Sequence, residues 1–329
     1  MSPVQFFTIF CSQPTDIFFG ALDMDFLIVF NNSILPIFFI IVLAFIYQRI
    51  FRPDIKILAN LALALFAPIL VFDSMTRHDV SFVDLGIPFV FMILLTGLLI
   101  AAGKLLSMLM RLDLRERNSL IMGVSMINVG NFGLPLIHLT FGDEAAALSV
   151  IYFVIFNIPL CTLAIYLSSD KSSPRDILLD VLKIPIFHAF LLALVFTWLQ
   201  IPVPAGVQQG LQLISAGAIP LLIFVLGLQL SAFSWSIIRD KILRLSALVG
   251  TATLVRLVVS PVIALGLLSL FQVQGLERAV AVLQTSAPSA LLPLMYAIRF
   301  NKSPELLAAI IFFTTLFSGI SLPLLIQFL

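Results

Sequence analysis

The feature that most constrains the fold is a series of apolar stretches, each long enough to cross a bilayer. A spanning helix needs about 20 such residues, and ten stretches of the 329-residue chain meet that rule. They are predicted at roughly 26–47, 56–73, 85–110, 118–140, 144–167, 183–199, 207–230, 242–270, 277–298 and 304–328. Because lipid cannot satisfy free backbone groups, spans of this length are expected to be helices. The sequence therefore predicts an all-α polytopic membrane protein.

Composition agrees with a membrane location. Hydrophobic residues make up 61% of the chain and charged residues 11%, whereas about a quarter of a soluble protein is charged. The formal net charge of +1 argues against nucleic acid as a partner. The three histidines and two cysteines, Cys11 and Cys161, show no metal-ligand spacing and no disulfide framework. We therefore expect the lipid bilayer as a partner and no cofactor.

The distribution of basic residues predicts the orientation of the spans. Cytoplasmic loops carry an excess of Lys and Arg, and the loops after odd-numbered spans hold fifteen, against Arg77 and Arg278 on the other side. The fifteen are Arg49, Arg52, Lys56, Lys104, Arg111, Arg115, Arg117, Lys171, Arg175, Lys183, Arg239, Lys241, Arg244, Arg299 and Lys302. Both termini are predicted to lie outside, in what we expect to be a bacterial inner membrane.

Residues 1–25 are predicted to form an N-terminal leader outside the membrane. Their modest apolar run, Phe6 to Cys11, has no basic residue before it, as a secretory signal would require. Met24 is an alternative start, because Asp25 and Phe26 lead directly into the first span.

The two halves of the chain are predicted to be inverted five-helix repeats. The first covers 26–167 and the second 183–329, joined by a polar cytoplasmic linker at 168–182. Because five is an odd number, the second half must enter the membrane upside down relative to the first. Weak internal similarity supports this prediction, since Ala67–Phe72 of span two resembles Ile219–Phe224 of span seven.

Span four is expected to break near its middle. Gly130 and Gly133 weaken a helix, and Pro135 removes an amide donor and clashes with the preceding turn. Irregular backbone at this depth is tolerated only inside protein or along a wet cavity, which points to a binding site. Asn128 and Asn131 add uncharged amides one turn apart. These amides either contact a ligand or only cap the half-helices.

Span nine is interrupted at the corresponding place, over 286–293. Paired interruptions of this kind indicate a transporter site at the midplane. Each break leaves a half-helix N-terminus with about half a positive charge, expected near 133–135 and 289–293. Such termini bind carboxylates, so the predicted ligand is a small organic anion. The candidate binding residues in the two spans are Asn128, Gly130, Asn131, Gly133, Pro135, Ser286, Pro288, Ser289 and Pro293.

Polar residues in other spans are further candidates. Arg256, in the middle of span eight, either raises the local anion concentration or locks the scaffold to the transport bundle. Alternatively, it snorkels to an interface or rests on freed carbonyls. Asp73 and Asp84, at the edges of spans two and three, are more typical of interfacial caps than of proton acceptors. Asn157 belongs to a polar kink in span five that faces the crossing or points away from it. His138, one turn past the span-four break, is more typical of a packed residue than of a ligand contact.

Several short motifs occur in an order and spacing that resemble the auxin efflux carrier family, which joins plant auxin exporters to bacterial carriers of small organic acids. They are Asn128-x-Gly130-x-x-Gly133-x-Pro135, Leu35–Phe38, Ala67-Pro68, Ala218–Pro220 with Leu226-Gly227, and Ala287–Ser289. The resemblance runs from about Met24 to the end and is to the compact bacterial form. It implies a scaffold bundle and a transport bundle holding crossed broken helices, as in bile-acid symporters and cation/proton antiporters. It also implies that Asn128 lies against a carboxylate, whereas Asn131 is not a fixed part of the family pattern.

The function predicted from these features is secondary transport of a small organic anion, such as a mono- or dicarboxylic acid or an auxin-like acid. The transport bundle is expected to move against the scaffold in an elevator-type cycle, with electrogenic efflux. The alternatives are a sodium- or proton-coupled carboxylate symporter and a membrane sensor that binds the ligand without transporting it. An enzyme is not expected, because the sequence offers no nucleophile with a base and no acidic metal cluster. A homodimer through the scaffold helices stays open.

Overall fold

The computed structural model describes residues 26–78, 83–168, 182–231, 242–299 and 303–329, and these ranges are helical apart from short connections. The leader 1–25 and residues 169–181 of the linker lie outside the described residues. The helices are α1 Phe26–Phe51, α2 Ile55–Arg77, α3 Gly86–Leu109, α4 Leu114–Ser125, α5 Leu134–Ser168, α6 Pro185–Trp198, α7 Ala205–Ser231, α8 Ile242–Leu254 continuing to Leu270, α9 Gly275–Thr285, α10 Leu292–Arg299 and α11 Pro304–Ile326.

Seven helices in the described part of the chain are long and apolar enough to cross a membrane. They confirm an all-helical membrane protein. The count falls below ten because spans four and nine are each divided into two shorter helices, and α6 has only 14 residues. The second half of span four also runs into span five as α5, kinked at Gly142 with a φ of 82°. The ten-span inverted repeat stays a prediction.

Prolines inside the spans are accommodated by widened helical turns. Four π-helical turns each end two residues before a proline, namely Phe30–Ile34 before Pro36, Ala62–Phe66 before Pro68, Val129–Gly133 before Pro135 and Val255–Val259 before Pro261. A proline ring strikes the carbonyl one turn back and cannot donate to it. The wider turn moves that carbonyl aside, so the chain bends without losing its helix.

The helices pack in two groups. The first group is α1, α2, α6 and α7, in which α7 packs along α1 and α6 along α2. Gly227 of α7 lies so close to α1 that an added Cβ would stand 2.5 Å from the carbonyl oxygen of Ile41. The second group is α3, α4, α5, α8, α9, α10 and α11, in which α3 packs on α4 and α5, α9 on α5, and α8 on α11. Both breaks belong to the second group.

Candidate functional site

The two interrupted spans cross and pair through their backbones. Ile127 and Ser289 form an isolated antiparallel bridge. Within it, the amide of Asn128 donates to the carbonyl of Pro288 at 2.8 Å, and the amide of Ala290 donates to the carbonyl of Met126 at 2.9 Å. All six residues are buried. Each break therefore satisfies polar groups that the other leaves free, as a membrane interior requires.

The break in span four is shorter and earlier than predicted. Asn128 is the N-cap of the second half, and its Oδ1 accepts a hydrogen bond from the amide of Asn131 at 3.2 Å. The helix restarts with the π turn at Val129, rather than near 133–135 as expected. Asn is a preferred N-cap residue because its oxygen replaces a missing helical acceptor. Gly130, Gly133 and Pro135 thus lie inside the helix, and only 126–128 is non-helical.

The two glycines of span four are explained by close packing. A Cβ on Gly130 would collide with the ring of Phe153, and a Cβ on Gly133 would stand 2.6 Å from Oε1 of Gln284. Both neighbours are buried in the second helix group. The glycines therefore allow the π turn to sit against α5 and α9, and they do not break the helix.

Gln284 connects α9, α5 and the restart of span four close to the crossing. Its Nε2 donates to the carbonyl of Val129 at 2.9 Å, and its Oε1 accepts from the hydroxyl of Ser149 at 3.1 Å. The side chains of Gln284 and Ser149 are fully buried. Hydrogen bonds in so apolar a place are costly to lose, because a freed polar group has no water to replace its partner. The pair fixes α9 and α5 against the restart of span four.

Asn128 carries a buried donor without a partner. Its side chain is 6% exposed, and Nδ2 has no hydrogen-bond partner among the described residues. Exchanging the positions of Oδ1 and Nδ2 by a flip of the side-chain amide would break the hydrogen bond from the backbone amide of Asn131 to Oδ1. Buried donors are almost always satisfied, and leaving one free costs about 1–3 kcal/mol. Nδ2 is therefore available to an acceptor at a helix N-terminus.

The other predicted polar contacts are engaged inside the protein. The hydroxyl of Ser286 donates to the carbonyl of Val282 at 2.6 Å, and that of Ser289 donates to the carbonyl of Gly123 at 2.5 Å. Nδ2 of Asn157 donates to the carbonyl of Phe153 one turn earlier, at 2.6 Å. Pro293 is buried in the first turn of α10. Span nine is therefore interrupted where the sequence predicted, and its serines stabilise the crossing.

Arg256 contacts the ends of the two helices that lead into the breaks. It is fully buried, and its Nη1 donates to the carbonyl of Val124 at 3.0 Å, near the end of α4. Nη2 donates to the carbonyl of Thr285, the last residue of α9, and to the hydroxyl of Ser260. Helix C-termini carry about half a negative charge each. Among the roles that the sequence left open, these contacts correspond to Arg256 resting on freed carbonyls.

A cavity of about 490 Å³ lies between the two helix groups. Its first wall comes from α1, α2 and α7, and its second from 134–150 of α5. The polar lining residues are Asp73, Ser74, Arg77, His138, Asp143, Gln212 and Ser215. Leu134, in the turn that follows Gly133, also lines the cavity. The cavity thus approaches the crossing from the side of the second half-helix.

Asp73 is not the interfacial cap that its sequence position favoured. Its side chain is fully buried, its Oδ2 lies 3.1 Å from Nη2 of Arg77, and its Oδ1 accepts from Nε2 of Gln208 at 2.6 Å. His138 is half-exposed on the opposite wall, with Nδ1 3.2 Å from Oδ1 of Asp143. These groups make part of the cavity lining polar and charged.

Comparison with known proteins identifies the family of the chain. Residues 29–326 match the family described as membrane transport protein. The chain belongs to this family, the auxin efflux carriers, as its motifs predicted. An uncharacterized transporter of Methanothermobacter thermautotrophicus is 29% identical over 307 residues, covering 89% of this chain and 96% of the relative. Another, of Methanocaldococcus jannaschii, is 26% identical over 301 residues, covering 87% and 94%.

Sequence reasoning missed part of this transporter's site. Gln284, Ser149, Ser260 and Thr285 were not singled out, although each is a polar residue inside an apolar span. That isolation is the signal that would have found them, because a polar side chain in a membrane interior needs a partner. The hydrogen-bond partner of each of these four residues depends on how the two interrupted spans cross.

Proposed function

We propose that this membrane transporter is a secondary carrier of small organic anions. The observation that carries the proposal is the unpartnered amide nitrogen of Asn128, buried at the N-cap of a half-helix. The first amides of a helix have no partner within it, and their positive end favours an anion. The amide of Asn131 is already capped by Asn128, so a carboxylate would accept from Nδ2 and from the remaining first amides. No cation is needed to hold it.

Alternating access would arise from movement of the second helix group against the first. Two features support an elevator-type cycle: both breaks belong to the second group, and the cavity separates the groups along α5. In this scheme α1, α2, α6 and α7 form the scaffold. If the ten predicted spans form inverted repeats, the inward-facing and outward-facing states would have similar helix packing.

The test is flux in proteoliposomes that contain the purified chain. We expect efflux of at least one labelled acid from a panel of mono- and dicarboxylates. Flux that requires a sodium or proton gradient would favour a coupled symporter. Binding without any flux would identify a sensor and contradict the proposed carrier.

Efflux is expected to respond to membrane potential. The described groups proposed to contact the anion, Nδ2 of Asn128 and the first amides of its half-helix, include no carboxylate that could carry a compensating proton. The charge of the anion should therefore cross with it. A monoanion that leaves a cell gains about 2.3 kcal/mol per 100 mV of inside-negative potential. In loaded proteoliposomes, a potassium-diffusion potential that is negative inside should accelerate net efflux. A rate that is unchanged by potential but follows a proton or sodium gradient would contradict the electrogenic cycle.

The orientation is tested by cysteine labelling. In a background lacking Cys11 and Cys161, we expect an impermeant maleimide to label Gly206→Cys in intact cells. Ser173→Cys, in the predicted cytoplasmic linker, should label only after permeabilisation, because basic residues surround it. Labelling of Ser173→Cys in intact cells would reverse the predicted topology. Labelling of both positions in permeabilised cells is the control for reactivity.

A further inference from the structure

The described residues bury two formally charged side chains, Asp73 and Arg256. Asp73 has a counter-charge, since Arg77 lies 3.1 Å from it. Arg256 has none: the partners of its Nη1 and Nη2 are two backbone carbonyls and one hydroxyl, and its Nε has no partner among the described residues. The second helix group therefore contains a buried positive charge that no carboxylate of the described residues neutralises.

Hydrogen bonds attach this charge to both sides of the crossing. Val124 and Thr285, whose carbonyls accept from Arg256, belong to α4 and α9, the helices that lead into the two breaks. Ser260, on the same helix as Arg256, also donates to the carbonyl of Thr285, at 3.1 Å. The guanidinium is thus bound to the segments that form the anion site. A movement of those segments carries it along.

We propose that Arg256 moves with the anion site as a fixed positive charge of the second helix group, which is called the moving unit below. A bound monoanion then neutralises this charge, and the moving unit returns across the membrane empty and positively charged. This inference rests on the proposed carrier function and states which step of that cycle senses the membrane potential.

The charges balance over one cycle. A helix has no net charge, so displacing the half-helices transfers none, whereas displacing Arg256 transfers one positive charge. The loaded unit, with a monoanion, moves outward with a net charge of zero. The empty unit then moves inward with a charge of plus one. The sum is one negative charge exported per cycle, which is the charge of the anion.

The voltage-sensing step therefore differs between modes of transport. Net efflux requires return of the empty unit and should respond to potential. Exchange of a monoanion across the membrane uses only the loaded unit, and it should be insensitive to potential. If Arg256 is replaced by a neutral residue, the opposite step should respond to potential. The loaded unit then carries the negative charge of the anion, and the empty unit carries no charge.

The test measures charge displacement without any substrate. The full chain is reconstituted in a planar bilayer, and voltage steps are applied in substrate-free buffer. Wild type should show a transient displacement that saturates with voltage, since 100 mV across the full field shifts the distribution of a unit charge roughly fiftyfold. Arg256→Gln should lose this displacement. Arg256→Lys should keep it, because the charge remains.

A matched control separates charge from structure. Ser260→Ala removes a hydroxyl that accepts from Nη2 but leaves the charge, so its displacement should persist even if the protein is less stable. Thermal unfolding of each variant identifies any that fail to fold. Displacement that is absent from wild type, or that persists in folded Arg256→Gln, overturns the inference. Absence of flux across the carboxylate panel instead contradicts the carrier function, so the two failures are distinguishable.

Discussion

Asn128→Asp is expected to abolish carboxylate transport while the protein folds normally. An aspartate at this position keeps the oxygen that accepts from the amide of Asn131, and Asp is as good an N-cap as Asn. It replaces the donor Nδ2 by a second negatively charged oxygen. The lost charge-assisted hydrogen bond is worth about 1.5–3 kcal/mol. Repulsion between two charges 4 Å apart adds about 4 kcal/mol at an effective dielectric constant of 20. Binding should weaken by more than roughly a hundredfold.

Two further substitutions assign the effect to the amide nitrogen. Asn128→Ser keeps a capping oxygen without Nδ2 and should lose roughly tenfold to a hundredfold in affinity. Asn128→Ala loses the cap as well, which costs about 1 kcal/mol of stability. Affinity is measured from the concentration dependence of flux, and folding from thermal unfolding in detergent. Wild-type affinity in a well-folded Asn128→Ser protein would leave the asparagine only its capping role.

Gly227→Ala is expected to destabilise the first helix group. The new Cβ would stand 2.5 Å from the carbonyl oxygen of Ile41 and 2.7 Å from the Cβ of Ala44. A backbone oxygen in a helix cannot rotate away, so α1 and α7 would have to separate along their length. Overpacking typically costs about 1–3 kcal/mol and sometimes more. Thermal unfolding should begin at a clearly lower temperature, and less protein should accumulate in the membrane.

Gly210→Ala is the matched control in the same helix. A Cβ there has no atom within 4 Å, and alanine is more favourable than glycine inside a helix by about 0.5–1 kcal/mol. Its stability should equal or exceed that of the wild type. Equal unfolding temperatures for Gly227→Ala and Gly210→Ala would contradict the close contact between α1 and α7.

Positions of the breaks were predictable to different degrees. Span nine is interrupted at 286–291, within the 286–293 stretch that the sequence predicted, and Pro288 there has no amide to donate to a helix. Span four was predicted to restart at 133–135, and it restarts at Val129. The prediction treated Gly130, Gly133 and Pro135 as helix breakers. Packing against Phe153 and Gln284 requires the glycines, and a π turn accommodates the proline, so residues that weaken an isolated helix are retained inside a packed one.

The sequence by itself determined the membrane-embedded helical class, the family and the two interrupted spans. The helical class and the interruptions depend on local composition, since apolar length and the loss of an amide act within a few residues of chain. The family depends on the order and spacing of short motifs. Only the tertiary structure decided which hydrogen-bond partners the freed backbone groups find. The pairing of Met126–Asn128 with Pro288–Ala290, and the hydrogen bond from Arg256 to Val124, join residues more than a hundred positions apart. In a membrane interior without water, every freed polar group must find such a partner, and its identity is set by how the helices cross.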